Sequence, residues 1–203
     1  MMKAFLLLFL FSLMLTAYSQ VPPAAEQIAM AVLAASPEQR DGATVYGYDA
    51  NGNLIELRKG TNELICLTDN PFTKGFEVDC YHKDLEPFMA RSRELRAQGK
   101  TNPEIFDIKE KEVREGKLKM PDRPTTLQVL SGPEGHYNPT TGEVENAEYR
   151  YVVYVPFATQ ETTGLPIKPV VYGGAWLMNP GTHRAHIMIG PPPNTRRYEM
   201  KRQ

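Results

Sequence analysis

Cysteine is scarce in this chain: its 203 residues hold two, Cys66 and Cys80. Their spacing is wrong for a redox C-x-x-C pair. A charge excess is missing as well, since Lys plus Arg number 23 against 24 Asp plus Glu, a formal net charge of -1. No global positive field exists to hold a polyanion, so nucleic acid is excluded as the expected partner. The basic residues of "KEKEVREGKLK", residues 109–119, alternate with acids and predict a solvated helix surface rather than a phosphate-binding stripe. There is no Gly-rich phosphate loop, dinucleotide fingerprint, EF-hand loop, haem attachment motif or H-E-x-x-H pair. Ser131 in "LSGPEG" is not set in a G-x-S-x-G elbow, and Glu77, Asp79, Asp84 and Glu86 read as surface charge. No cofactor is expected from motifs of these kinds.

Only one long apolar run is present, and it stands at the N-terminus. "MMKAFLLLFLFSLMLTAYSQ" places Lys3 before an uncharged Leu/Phe stretch and small residues at Ala17 and Ser19. That layout is a cleavable secretory signal over residues 1–19, too short and wrongly flanked for a stable membrane span. Residues 20–203 then form a single domain of 184 residues, large enough to bury a core. The expected location is exported, periplasmic or extracellular. In an oxidising compartment Cys66 and Cys80 are expected to form a disulfide.

Hydrophobic periodicity gives the architecture. "PPAAEQIAMAVLAAS" carries Ile28, Val32 and Leu33 at helical spacing. From Gly42 the period changes to two, with Val45, Leu54 and Glu56, and Leu64 and Cys66 marking three short strands in an antiparallel meander. Gly52 and Gly60 are expected at positive φ in its turns. "TDNPFTKGFEVDC" reads as an ordered loop pinned by the disulfide. Two helices follow, one from about His82 with Leu85, Phe88, Met89 and Leu95 on its stripe, the other capped at Thr101 or Asn102. "TTLQVL" and "AEYRYVVYVPFA" are later strands, the second a central one, and residues 186–189 close the domain. The fold class is α+β: an antiparallel β-sheet, meander plus later strands, with three helices packed against it.

His183 and His186 are the closest approach to a metal motif. On one strand an odd offset turns them to opposite faces, with Ile187 and Ile189 toward the core and His186 and Met188 on the reverse. A zinc-like divalent site would need a bend between them and further ligands, Asp69 first, with His82, His136 and Asp79 also in question. The aromatic alternative is a ligand surface: Trp176 and Tyr172 flank Gly173 and Gly174 in "YGGAWLMNPGTH", and His136 lies in the "GPEGHYNP" loop.

"DANGNLIELRKGTNELICLTDNP", Cys80, a helix with Pro87 and Met89 near its start, and "AWLMNPGTHRAHIMI" together resemble a family of uncharacterised secreted bacterial proteins. That family is similar in its L-R-K-G-x-N turn, paired cysteines, x-D-N-P loop and late P-H-I-M-I strand. Ala185 replaces the proline of that last pattern. The resemblance implies an extracytoplasmic bacterial protein and carries over no catalytic residue. The expected function is a non-catalytic exported domain with a binding or structural role. Its partner would be a small molecule, a peptide or a cell-envelope polymer. The competing reading is a metal-dependent or hydrolytic enzyme using His186 with His183 or Asp69.

Overall fold

The computed structural model describes residues 21–171 and 173–190; the expected signal at residues 1–19 and Tyr172 lie outside the described residues. The fold is mixed α and β. Helix α1 (Ala24–Ala31) runs into a 3-10 turn at Val32–Ala34 and a short α2 (Pro37–Arg40). Strands β1 (Thr44–Tyr48), β2 (Leu54–Arg58), β3 (Leu64–Leu67) and β4 (Phe76–His82) follow, then α3 (Glu86–Ala97) and α4 (Asn102–Arg114). The rest is β5 (Thr125–Gly132), β6 (His136–Asn138), β7 (Glu143–Glu145), β8 (Glu148–Tyr154), a single turn α5 (Gln160–Thr163), β9 (Trp176–Met178) and β10 (His186–Ile189). Among the described residues no helix is long and apolar enough to cross a membrane.

Eight strands make one sheet in the order β2-β1-β3-β4-β5-β8-β10-β9, and β6 and β7 pair separately. The large sheet is antiparallel except where β1 and β3 run parallel. That pair replaces the expected meander. After β2 the chain crosses the start of β1, where the Thr61 and Asn62 amides donate to the Gly42 carbonyl at 2.7 and 2.9 Å. β3 is thereby delivered to the inner edge of β1, and its buried Leu64, Ile65 and Cys66 gain neighbours on both sides.

Gly60 makes this crossing possible, though not through the positive φ expected of it. Gly52 has φ 81, whereas Gly60 does not lie in the left-handed region; a Cβ there would stand 2.2 Å from the Thr44 nitrogen. Gly60→Ala is expected to cost about 1–3 kcal/mol, because backbone rather than a mobile side chain must yield. Urea denaturation measures it, and an unchanged midpoint would refute the close-approach account.

The segment read as a loop before Cys80 is mostly strand. In "FEVDC" the alternation places Phe76, Val78 and Cys80 inside. Cys66 and Cys80 are register partners on β3 and β4 and form the disulfide. The bridge therefore ties adjacent strands. Sheet parity then separates two cores. Val45, Leu64, Cys66, Phe76, Val78, Cys80 and Leu130 pack with Met30 and Ala31 of α1. Ile65, Tyr81, Leu127, Val129, Val152 and Tyr154 meet Leu85 and Phe88 at the start of α3.

The helices begin where local chemistry places them. Thr101 and Glu104 form a reciprocal capping box on α4. Pro87 and Pro103 occupy first-turn positions, where the missing N–H costs nothing. Strand β8 lies inside the sheet, between β5 and β10, as its apolar alternation implied.

Candidate functional site

Register fixes where the histidines go. His186 pairs with Tyr154 and Met188 with Val152, so this pair of β10 residues faces the α3 side; Ile187 and Ile189 lie on the other face, half-buried. The orientation expected from hydrophobicity is reversed. Every β10 side chain except His186 is apolar, so both faces can be covered and polarity does not choose between them. His186 is 3% exposed, and its Nδ1 lies 2.7 Å from the Arg184 carbonyl of its own turn. Burial holds its pKa below the usual imidazole value, against the favourable hydrogen bond to that carbonyl.

The chain bends at residues 181–185, and His183 reaches the same interior by another route. It is fully buried, against Phe88 of α3 and Phe106 of α4. The Glu110 carboxylate accepts from its backbone N–H at 2.8 Å and meets Nδ1 at 2.5 Å. Burial pushes Glu110 up, but these bonds and Arg114 outweigh it and hold the carboxyl below its usual range. Burial likewise depresses His183. A carboxylate facing a neutral imidazole requires the proton on Nδ1, which leaves Nε2 as a buried lone pair without a partner among the described residues.

Lys109 completes the cluster and corrects the reading of its charged run as solvated surface. It is 3% exposed, donates to the Phe88 carbonyl at 2.9 Å and to the Ser92 hydroxyl, and sits over the Phe88 ring. Burial first, then Arg184 and Arg96, bring its pKa down to about 6. The sequence held one signal for this: Lys109 stands four positions after Ile105, on the inward stripe of α4. Ser92 also donates back to the Phe88 carbonyl from inside α3.

Asp69 is not near these groups. Its carboxylate accepts the Glu77 N–H of β4 at 2.9 Å, and β5 and β8 separate β4 from β10, a span of about 14 Å. Among the described residues no group of three or more His, Cys, Asp or Glu could hold a metal ion. His82 accepts the Asp84 N–H, and exposed His136 faces Glu145 on the β6–β7 hairpin. Trp176 is half-buried on edge strand β9. Trp176 and His136 therefore belong to different sheets.

The open polar surface is at the other end of β4, β5 and β8. A shallow cleft of 340 Å³ is lined by Asp69, Lys74, Glu77, Ser131 and Arg150, together with Gly132 and Pro133. Arg150 donates to Ser131 at 2.9 Å and lies 3.5 Å from Glu77. One row inward, the half-buried Asp79 carboxylate has no hydrogen-bond partner among the described residues. Burial and the neighbouring Glu77 push its pKa up to about 7, against Arg150 and Arg96. A smaller hollow beside His82 offers less, because its lining carries Arg123, paired with Asp84 at 2.8 Å, and no carboxylate. The cleft presents donors and acceptors of both charge signs, among them the Ser131 hydroxyl that Arg150 engages.

No family model, curated protein or solved structure matches the chain. The site is therefore read from its own chemistry.

Proposed function

We propose that the protein is an exported, non-catalytic binding domain, a member of the secreted bacterial family it resembles, and that its ligand is a short peptide. The observation that carries this reading is the cleft, in which Lys74 and Arg150 stand beside Asp69 and Glu77. A peptide brings a carboxylate for the first pair and an ammonium for the second, with amides to meet Ser131 and the Gly132 backbone. The N-terminal signal pattern and the Cys66–Cys80 disulfide support export. A histidine-centred enzyme would need two further ligands around His186, and the described residues supply no such set.

Titrating the labelled protein with di- and tripeptides while following amide resonances tests the proposal. Shifts should cluster at residues 69–77 and 131–133, and Arg150→Ala should weaken binding about tenfold by removing a charged hydrogen bond. No localised shift up to millimolar peptide, or equal binding by peptides blocked at both ends, would reject it.

A further inference from the structure

The interior cluster under α4 has an unusual balance of charge-bearing groups. Three bases, Lys109, His183 and His186, are all at most 3% exposed. Their surroundings come from every element packed there. From α3 come the Phe88 carbonyl, the Ser92 hydroxyl and the Arg96 charge; from α4 come Glu110 and Glu112; from the turn before β10 comes Arg184; from β8 comes Tyr154, tilted against His186. The acids are already engaged: Glu110 serves His183 and Arg114, and Glu112 is held by Arg91 at 2.6 Å. Among the described residues the remaining carboxylate at this interior is Asp79 of β4, whose charge acts on Tyr154; burial raises its pKa to about 7, so it loses charge as the bases gain theirs and opposes their effect only below about pH 7.

We propose that the α3–α4 layer is a pH-responsive element, seated most firmly on the sheet at alkaline pH and progressively loosened as pH falls through neutrality into mild acid. The groups that respond lie at the interface between that layer and the sheet, so charging them strains this interface and leaves the disulfide-tied core around Cys66 and Cys80 unaffected. Lys109 takes up its proton at a much higher pH when the layer is open to water than when it is closed. The open form therefore binds more protons between about pH 10 and pH 6, and opening becomes easier as pH falls through that window. The two histidines, also depressed in the closed form, extend the effect below pH 6.5. The Phe88 ring and the two oxygen acceptors favour the ammonium, and their role is to hold Lys109 in place as its charge changes.

Native-state hydrogen exchange, corrected for the intrinsic pH dependence of exchange, tests this on the whole chain. Opening of α3 and α4 should grow by up to about tenfold per pH unit from pH 9 to pH 7, while β4 and β5 amides change far less. In Lys109→Met that slope should disappear above pH 7. Constant protection of α3 and α4 across the window, or an unchanged slope in Lys109→Met, would overturn the proposal. Should that variant fail to fold, the Lys109 side-chain resonance in the unmodified protein decides: titration near 6 supports the element, and titration near 10 removes it.

Discussion

Replacing Cys66 and Cys80 together with alanine is expected to lower stability by about 3 kcal/mol, the loop-closure effect of a bridge over a sequence separation of 14. For a domain of this size that corresponds to a melting temperature lower by about 6–12 °C. Two features make the bridge matter. Strand β3 is only four residues long, and three of its side chains are buried between β1 and β4, so its position depends on both neighbours. The sulfurs lie inside the first core, with Cys80 Sγ 3.4 Å from the Ala31 carbonyl, so the change also removes packing under α1. Calorimetry of both proteins measures the effect. A fall of less than about 1 kcal/mol would show that strand pairing alone holds β3, and that the bridge restrains little of the unfolded chain.

The parts legible from sequence were those whose determinants are local. The start of α4 was expected at Thr101 or Asn102, and the structure makes Thr101 the cap, with Glu104 closing the box three residues on. The alternation of Tyr149 through Tyr154 marked an interior strand for the same reason. Misreadings arose where two local signals competed. Asn70, Pro71, Lys74 and Gly75 announce a turn, and they hid the period-two pattern of Phe76, Val78 and Cys80 immediately after it. The parallel β1–β3 pair was illegible because it depends on a backbone crossing at Gly60 that no propensity encodes.

The interior cluster shows the same limit for function. Alternating charge in residues 109–119 outweighed the helical stripe that carries Lys109 inward with Ile105. The acceptor for His183 is Glu110, 73 positions away in sequence, and only the fold brings them together. The parity rule for His183 and His186 applied to a strand, but the strand begins at His186 and the preceding turn carries His183 to the same interior. The cleft was out of reach for a different reason: Arg150 meets Ser131 and Glu77 only because β4, β5 and β8 are neighbours.

Phe88→Ala is expected to have the largest effect of any single substitution considered, a loss of about 3–5 kcal/mol. The ring is 2% exposed and is shared by three partners. Tyr154 meets it edge-on at 5.5 Å, His183 at 5.6 Å, and the Lys109 Nζ lies 3.0 Å from its centre. Truncation therefore leaves a cavity between sheet and helices and removes the aromatic face that holds Lys109. It also admits water beside His183, whose depressed pKa is owed first to burial, so that pKa should rise toward the ordinary imidazole value. Phe88→Leu keeps most of the volume and should recover much of the stability while losing the ring face under Lys109 Nζ. Denaturant unfolding and a histidine resonance titration read the two effects separately. A large stability loss with His183 unmoved would mean that the ring packs the second core without governing the polar cluster. A loss below about 1.5 kcal/mol would mean that neighbouring side chains collapse into the space and that Phe88 does not fasten α3 to the sheet.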